Sequence, residues 1–348
     1  MTQDQWEQLL ALLAGKRIDP LPVGFIIDSP WLPEWAGIST MDYFADDQMW
    51  FAANLKAVTE FPQVLFLPGF WAEFGMCTEP SPFGSKCVWH SHDLPFAHPV
   101  IRQASDIDSL TLPDPRTDGL CPFILRRLVS QRTRIEEAGH SIRFAVARGP
   151  LNIASFLMGA TEFLMGLRDE PQRMHRLLTL ITEFLVSWLE LQKKTIDTID
   201  GVLVLDDIVG FCGEPDYLEF AEPYLKAVFA SLDASAKLFH NDADGRASAP
   251  HLSKLGVNLF NFSFLHSLNE MRAWAGPDIT LFGNIPPRDV LALGTVDQVK
   301  DQTQQMLQGV NDKGRILFSC GGGLPDGVPT ENLRTFVQTI QGFGQSQR

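Results

Sequence analysis

Short apolar runs broken by Gly, Pro, Asn or Asp alternate along this chain with longer stretches whose apolar positions recur every three or four residues. The short runs have the length of buried strands, and the longer stretches have the period of one-sided helices. Eight strands are predicted: at 22–28, 63–69, 142–150 and 201–207, from Lys237 into His240-Asn-Asp242, at 255–263 and 278–285, and from Gly314 to Cys320. Helical patterns cover the start of the chain, the region near 43–60, then 161–198, about 214–234, 289–309 and 330–340. Leu177, Leu178, Ile181, Phe184, Leu185, Trp188 and Leu189 form a core-facing stripe. Pro171 divides that region into two helices, because proline has no amide to donate inside one. Pro215 suits a first helical turn and Thr330 an N-cap.

Strands that alternate with helices predict an α/β fold with a parallel sheet, and eight of them predict a single (β/α)8 barrel of TIM type. Residues 1–20 are expected to form an N-terminal helical extension and 21–348 the barrel. No Gly-rich phosphate fingerprint follows the first strand, which argues against a dinucleotide-binding fold. Residues 70–141 form an excursion after the second strand, rich in Pro, Gly, Trp and Phe. Plain connections are much shorter, so this one is an accessory layer or a functional loop.

Composition narrows the partners. The 348 residues are 45% hydrophobic and 20% charged, with a formal net charge of -14 and a pI near 5.0. A nucleic-acid surface needs clustered Lys and Arg, so nucleic acid is excluded as a partner. The first residues lack the basic start and long apolar core of a signal peptide. No apolar run approaches the roughly 20 residues that cross a bilayer, so no membrane role is expected. Cys77, Cys87, Cys121, Cys212 and Cys320 are odd in number and irregularly spaced, which suits reduced thiols in a cytoplasmic protein.

The barrel reading gives the polar strand ends a common address, since all carboxyl ends of such strands meet at one mouth. His240 and Asp242 are two residues apart, so both side chains lie on one side of their strand. Cys320 ends the last strand. An imidazole, a carboxylate and a thiolate are together a zinc-type ligand set. The competing readings are a hydrogen-bonded structural histidine, a small buried hydrophobe for Cys320, and for Asp242 a solvated Asn-Asp-Ala-Asp-Gly turn. Asp206 and Asp207 end the fourth strand, where a carboxylate could orient a ligand, bind substrate, act as acid or base, or cap the following helix. Asn284 ends the seventh strand as a candidate for binding cofactor or substrate, or as a turn residue. His266 and Cys212 also follow strands and are substitute ligands. Trp31, Trp35, Phe70, Trp71 and Trp89 can line an apolar pocket or simply pack.

Four segments carry a resemblance: Gly149-Pro-Leu-Asn-Ile-Ala-Ser-Phe-Leu-Met-Gly159, Phe220-Ala-Glu-Pro-Tyr224, Gly283-Asn-Ile-Pro-Pro287 and Gly321-Gly-Gly-Leu-Pro-Asp-Gly-Val-Pro-Thr-Glu-Asn332. They resemble signatures of the uroporphyrinogen decarboxylase-like superfamily, in family order and over nearly the whole chain. The resemblance implies a (β/α)8 barrel. The decarboxylase branch carries an Arg-Gln-Ala-Gly-Arg-type segment after the first strand, where this chain has Asp28-Ser-Pro-Trp-Leu-Pro-Glu-Trp35 with no arginine. That branch also places a histidine in the glycine segment after the last strand, where this chain has Gly322. An anionic tetrapyrrole would meet a net acidic protein without its arginine clamp.

The other branch consists of zinc-dependent methyltransferases, such as methylcobamide:coenzyme M methyltransferase, which use a His-x-Cys pair at the fifth strand and a Cys at the eighth. This chain is similar at His240 and Cys320 and departs at Asp242. The resemblance implies Zn2+, a corrinoid carried by a separate partner protein, and a small-molecule methyl donor or acceptor such as a thiol, a folate or a methyl ether. It also places Glu73, within Trp71-Ala-Glu-Phe-Gly75 after the second strand, where relatives carry a similar Glu-containing segment, and Glu73 is expected at the mouth as a catalytic candidate. The expected function is metal-assisted methyl transfer. The alternatives are decarboxylation of a smaller acid, for which Arg143, Arg148 and Arg246 are the nearby cations, and a catalytically silent binding protein.

Overall fold

The computed structural model describes residues 1–27 and 29–343; Asp28, the last position of the first expected strand, and residues 344–348 lie outside the described residues. The expected strands are present, trimmed to the cores of their apolar runs. They are β1 (Gly24–Ile26), β2 (Leu65–Leu67), β3 (Phe144–Arg148), β4 (Gly201–Leu205), β5 (Ala236–Asn241), β6 (Leu259–Phe262), β7 (Thr280–Ile285) and β8 (Ile316–Cys320). Strands β3 to β8 form one parallel sheet in chain order, and β1 pairs with β2 in a second parallel ladder. A Val23–Phe318 bridge and a bond from the Leu324 amide to the Ile26 carbonyl (3.1 Å) join β8 to β1. The sheet thus curls into the (β/α)8 architecture.

Between β2 and β3 the described residues form no ladder. Side chains occupy the seam instead. Gln192, on the helix Pro171–Thr195, accepts from the Val146 amide (3.0 Å) and donates to the Val146 carbonyl (2.9 Å), and Glu79 accepts from the Arg148 amide (3.1 Å). A buried backbone edge must be satisfied somewhere, and here polar side chains stand in for a neighbouring strand.

Alternation along the strands separates two cores. Ile26, Leu65, Leu67, Phe144, Val146, Leu203, Leu205, Leu238, Leu259, Phe282 and Leu317 point into the barrel. Phe25, Val202, Val204, Phe239, Phe260, Leu281 and Phe318 belong to the outer layer under the helices. The amino-terminal helix Gln3–Leu13, closed by a Thr2/Gln5 capping box, puts Trp6, Leu9, Leu12 and Leu13 against the inner set and stoppers the end opposite the mouth. The excursion after β2 contains an antiparallel hairpin (Cys87–Val88 with Ala97–Phe96) and then the helix Cys121–Glu137. No single helix among the described residues is long and apolar enough to cross a membrane.

Several helical expectations shift. Pro171 starts the second helix of the divided region, as expected. The 214–234 stretch is a short α-turn, a π-turn over Tyr217–Ala221 and a helix Glu222–Ala230. The 289–309 stretch is a π-turn, Pro287–Ala292, and a separate helix Val296–Gly309, because Thr295 and Gln298 form a capping box that starts a new helix after Gly294. Thr330 is the first residue of the last helix, and its hydroxyl accepts from the Trp35 indole (2.9 Å).

Candidate metal centre

The inward parity of the strands selects what reaches the mouth. On β5, Leu238 and His240 share the inner face, and Asp242 continues that parity one step past the strand. On β4, Leu203 and Leu205 point inward, so the same parity delivers Asp207 to the mouth and turns Asp206 outward. The result is a set of three donors, Asp207, His240 and Asp242, whose ligand atoms lie within 4.8 Å of one another. His240 is buried, Asp207 half-exposed and Asp242 open to solvent.

His240 is held in one tautomer. Its register partner across β5 and β6 is Asn261, fully buried. The Asn261 amide nitrogen donates to the Phe282 carbonyl (2.9 Å), which can only accept, so its oxygen faces His240 Nδ1 at 2.6 Å. Nδ1 therefore carries the proton, and in the neutral ring Nε2 presents a lone pair. That lone pair faces Asp207 Oδ1 at 3.4 Å. Two acceptors that close call for a proton or a cation between them.

Asp207 Oδ1 also accepts from the Asp242 amide (3.0 Å), which fixes one carboxylate beside the other. The crowding is electrostatic as well as steric. One side of Asp242 faces solvent, but the protein packed around the rest of it pushes its carboxyl up to about 6, first by desolvation and then by the negative charge of Asp207, with His240 pulling the other way. An oxygen-and-nitrogen trio of this kind suits zinc or a harder divalent ion and leaves coordination positions open.

The other expected residues have different surroundings. Asp206 is fully buried and accepts from the amides of Leu151 (2.9 Å) and Asn152 (3.0 Å), so it caps the helix Pro150–Met158. Burial pushes its carboxyl up, while the Leu151, Asn152 and Val209 amides oppose that. The Gly149-Pro-Leu-Asn motif serves this cap. A Cβ on Gly149 would stand 2.3 Å from Asp206 Oδ2, and the Asn152 side chain ties Leu205 O (3.2 Å) to Ile208 N (3.1 Å).

Cys320 shares the outward parity of Ile316 and Phe318. Its thiol donates toward the carbonyls of Gly322 (3.4 Å) and Gly323 (3.6 Å), and it is not among the three gathered donors. Asn284 donates to the His266 carbonyl (2.5 Å) and braces the loop after β6. His266 pairs with Asp244 (3.0 Å), and burial pushes the Cys212 thiol up to about 12. Glu73 is buried at the seam, where it accepts from Ser29 Oγ (2.8 Å) and pairs with Arg148 (3.2 Å). Arg148 also pairs with Glu79 (3.3 Å), whose carboxyl burial pushes up and Arg148 pulls down. Among the aromatics, Trp31 stacks on Trp35 (4.6 Å between rings) and donates to Val328 O (3.1 Å), tying the loop after β1 to the loop after β8. Phe70 is core, Trp71 lines the seam and Trp89 packs edge-on against Phe44 and Phe74.

Reasoning from the sequence missed Asn261. The signal that could have found it is a polar residue at inward parity in an otherwise apolar strand, on the strand next to His240.

Comparison with known proteins agrees with this architecture. The sequence model of the uroporphyrinogen decarboxylase (URO-D) family matches residues 4–343. A uroporphyrinogen decarboxylase from Anaeromyxobacter dehalogenans is 24% identical over 250 residues, 70% of each chain. A methylated-thiol–coenzyme M methyltransferase from Methanosarcina mazei is 24% identical over 272 residues, 77% of this chain and 71% of that one. The solved structure of a methyltransferase from Methanosarcina mazei superposes with a TM-score of 0.81 at 17% identity, covering 98% of this chain and 99% of that one. With a donor trio at the mouth of a (β/α)8 barrel and a family match over residues 4–343, the chain belongs to the uroporphyrinogen decarboxylase family.

Proposed function

We propose that this protein is a metal-assisted methyltransferase that moves a methyl group between a corrinoid, carried by a partner protein, and a small-molecule donor or acceptor such as a thiol, a folate or a methyl ether. The observation that carries the reading is the gathering of Asp207, His240 and Asp242 at the carboxyl ends of β4 and β5, with the His240 Nε2 lone pair directed at a carboxylate 3.4 Å away.

These residues fit a zinc ion. The three donors offer two carboxylates and one imidazole nitrogen, and Asn261 holds that nitrogen unprotonated by occupying the other. Asp242 stands where the methyltransferase resemblance has a thiolate, and Asp207 is the third donor that the geometry gathers where Cys320 was the candidate. Bound there, zinc supplies Lewis acidity, lowering the pKa of an entering thiol or polarising the oxygen of an ether. The protein's own contribution is to hold the donors on two adjacent strands, to keep one face open to solvent through Asp242, and to supply charge that favours a cation.

The decarboxylase alternative needs cations for its acid substrate, and each candidate arginine is engaged elsewhere. Arg143 donates to Gln3, on the amino-terminal helix. Arg148 is clamped between Glu73 and Glu79, and Arg246 pairs with Asp244 (2.5 Å). A side chain at Gly322, the decarboxylase histidine position, would meet Asp242 Oδ2 at 3.1 Å. The methyltransferase relative supports the reading at the level of reaction class.

The test is metal analysis of purified wild-type protein alongside H240A and D207A, with methyl transfer from methylcobalamin to small thiols followed by the cobalamin spectrum. One zinc per chain, lost in both variants together with transfer, is expected. Protein that neither contains nor takes up a divalent metal would overturn the proposal.

A further inference from the structure

We infer that Asn261 is the positioning residue of the metal centre, acting through His240; this rests on the metal-assisted reading above. A buried asparagine inside an apolar barrel is costly unless its polar atoms are paired. Asn261 is fully buried on the same inward face as Leu259, and the β5–β6 register sets it directly beside His240. Its two ends have separate partners. The amide nitrogen donates to Phe282 O at 2.9 Å on β7, and the oxygen accepts from His240 Nδ1 at 2.6 Å.

The carbonyl of Phe282 cannot donate, so a flipped amide would set its oxygen against that carbonyl and lose the bond on β7. Backbone geometry of β7 is thereby transmitted through one side chain to the tautomer and ring plane of His240. With the proton fixed on Nδ1, Nε2 is the atom offered to Asp207 and Asp242. If the oxygen of Asn261 were absent, the imidazole could rotate or place its proton on Nε2, and the donor trio would lose its nitrogen. Histidine ligands generally depend on such a partner, and its removal typically weakens metal binding by about 10–100-fold.

The experiment measures zinc affinity of the metal-free full chain by competition with a chromophoric chelator, for wild type, N261L and N261D. N261L keeps the volume and removes the acceptor. N261D keeps an acceptor for His240 Nδ1 and gives up the donor to Phe282. Weakening of about 10–100-fold in N261L, with N261D binding at least as tightly as wild type, is expected. The absorption spectrum of the cobalt-loaded protein should change in N261L and be restored in N261D. Zinc affinity in N261L equal to wild type would overturn the inference while leaving the metal reading intact. Equal weakening in N261L and N261D would also overturn it, reducing Asn261 to a packing and strand-bracing residue. Absence of zinc binding by wild type would overturn the metal reading and the inference with it.

Discussion

Replacing Gly322 with alanine tests whether Asp242 is held in place by the glycine loop after β8. The perturbation has two parts. Gly322 has φ +101° and the added Cβ would stand 3.1 Å from Asp242 Oδ2 and 3.2 Å from its Cβ. The backbone part costs roughly 1–3 kcal/mol, as for other side chains forced to positive φ. Unfolding entropy of about 2.1 cal/mol/K per residue gives about 0.7 kcal/mol/K for this chain, so Tm should fall by about 1.5–4 °C. The steric part must move the carboxylate by a few tenths of an ångström, and metal distances tolerate only about 0.2 Å. Zinc affinity should fall about tenfold, which is about 1.4 kcal/mol. Gly327 provides the control, because it has φ +76° and nothing lies within 4 Å of an added Cβ. G327A should lose comparable stability and no affinity. The assay is chelator competition on metal-free protein, paired with thermal unfolding of the same samples. In a D242A background, G322A should weaken zinc no further. Unchanged affinity in G322A, or equal loss in G327A, would refute the reasoning.

Three further outcomes are expected. G149A should eject Asp206 from the helix Pro150–Met158, removing two bonds from backbone amides to a carboxyl (2.9 and 3.0 Å); at about 1.5–3 kcal/mol each, the denaturant midpoint should report about 3–6 kcal/mol. Q192L should strip both partners from Val146, lowering stability by about 2–6 kcal/mol and exposing the Val146 amide to rapid hydrogen exchange. Carboxyl titration of the metal-free protein should separate two neighbours: Asp244 near 2, held down chiefly by its bond from Arg246, and Asp242 near 6. The signs differ. The Asp244 contribution to stability is present above its ordinary 3.8 and is lost as pH falls through about 2, whereas that of Asp242 is present below 3.8 and is lost as pH rises through about 6. Coincident midpoints for the pair would contradict this.

The barrel was legible because apolar runs and helical stripes repeat with little interruption, and His240 because it ends such a run. Strand parity, which places His240 beside Asp242, also splits Asp206 from Asp207, since Leu203 and Leu205 count inward to 207 and Val202 and Val204 count outward to 206. The same count from Leu317 sets Ser319 inward and Cys320 outward. Other features were beyond local pattern. The Asp206 cap joins residues 54 and 55 positions apart, and the Glu73–Arg148–Glu79 clamp joins two segments across the seam. Such pairings depend on which strand ends come together, which no short window of sequence contains.

The seam between β2 and β3 divides the work of the molecule. Asp207, His240 and Asn261 stand on an unbroken run of strands from β3 to β8, so peptide-to-peptide bonding sets their spacing. The loops after β1 and β2 hang from a two-stranded ribbon that bridges to β8 but, among the described residues, forms no ladder with β3, whose edge is bonded by the side chains of Gln192 and Glu79. The wall opposite the donors can therefore be re-cut, by altering lengths or bulk in residues 29–35 and 70–100, while the donors keep their positions. On the proposed function, one set of donors can in this way face differently shaped substrates.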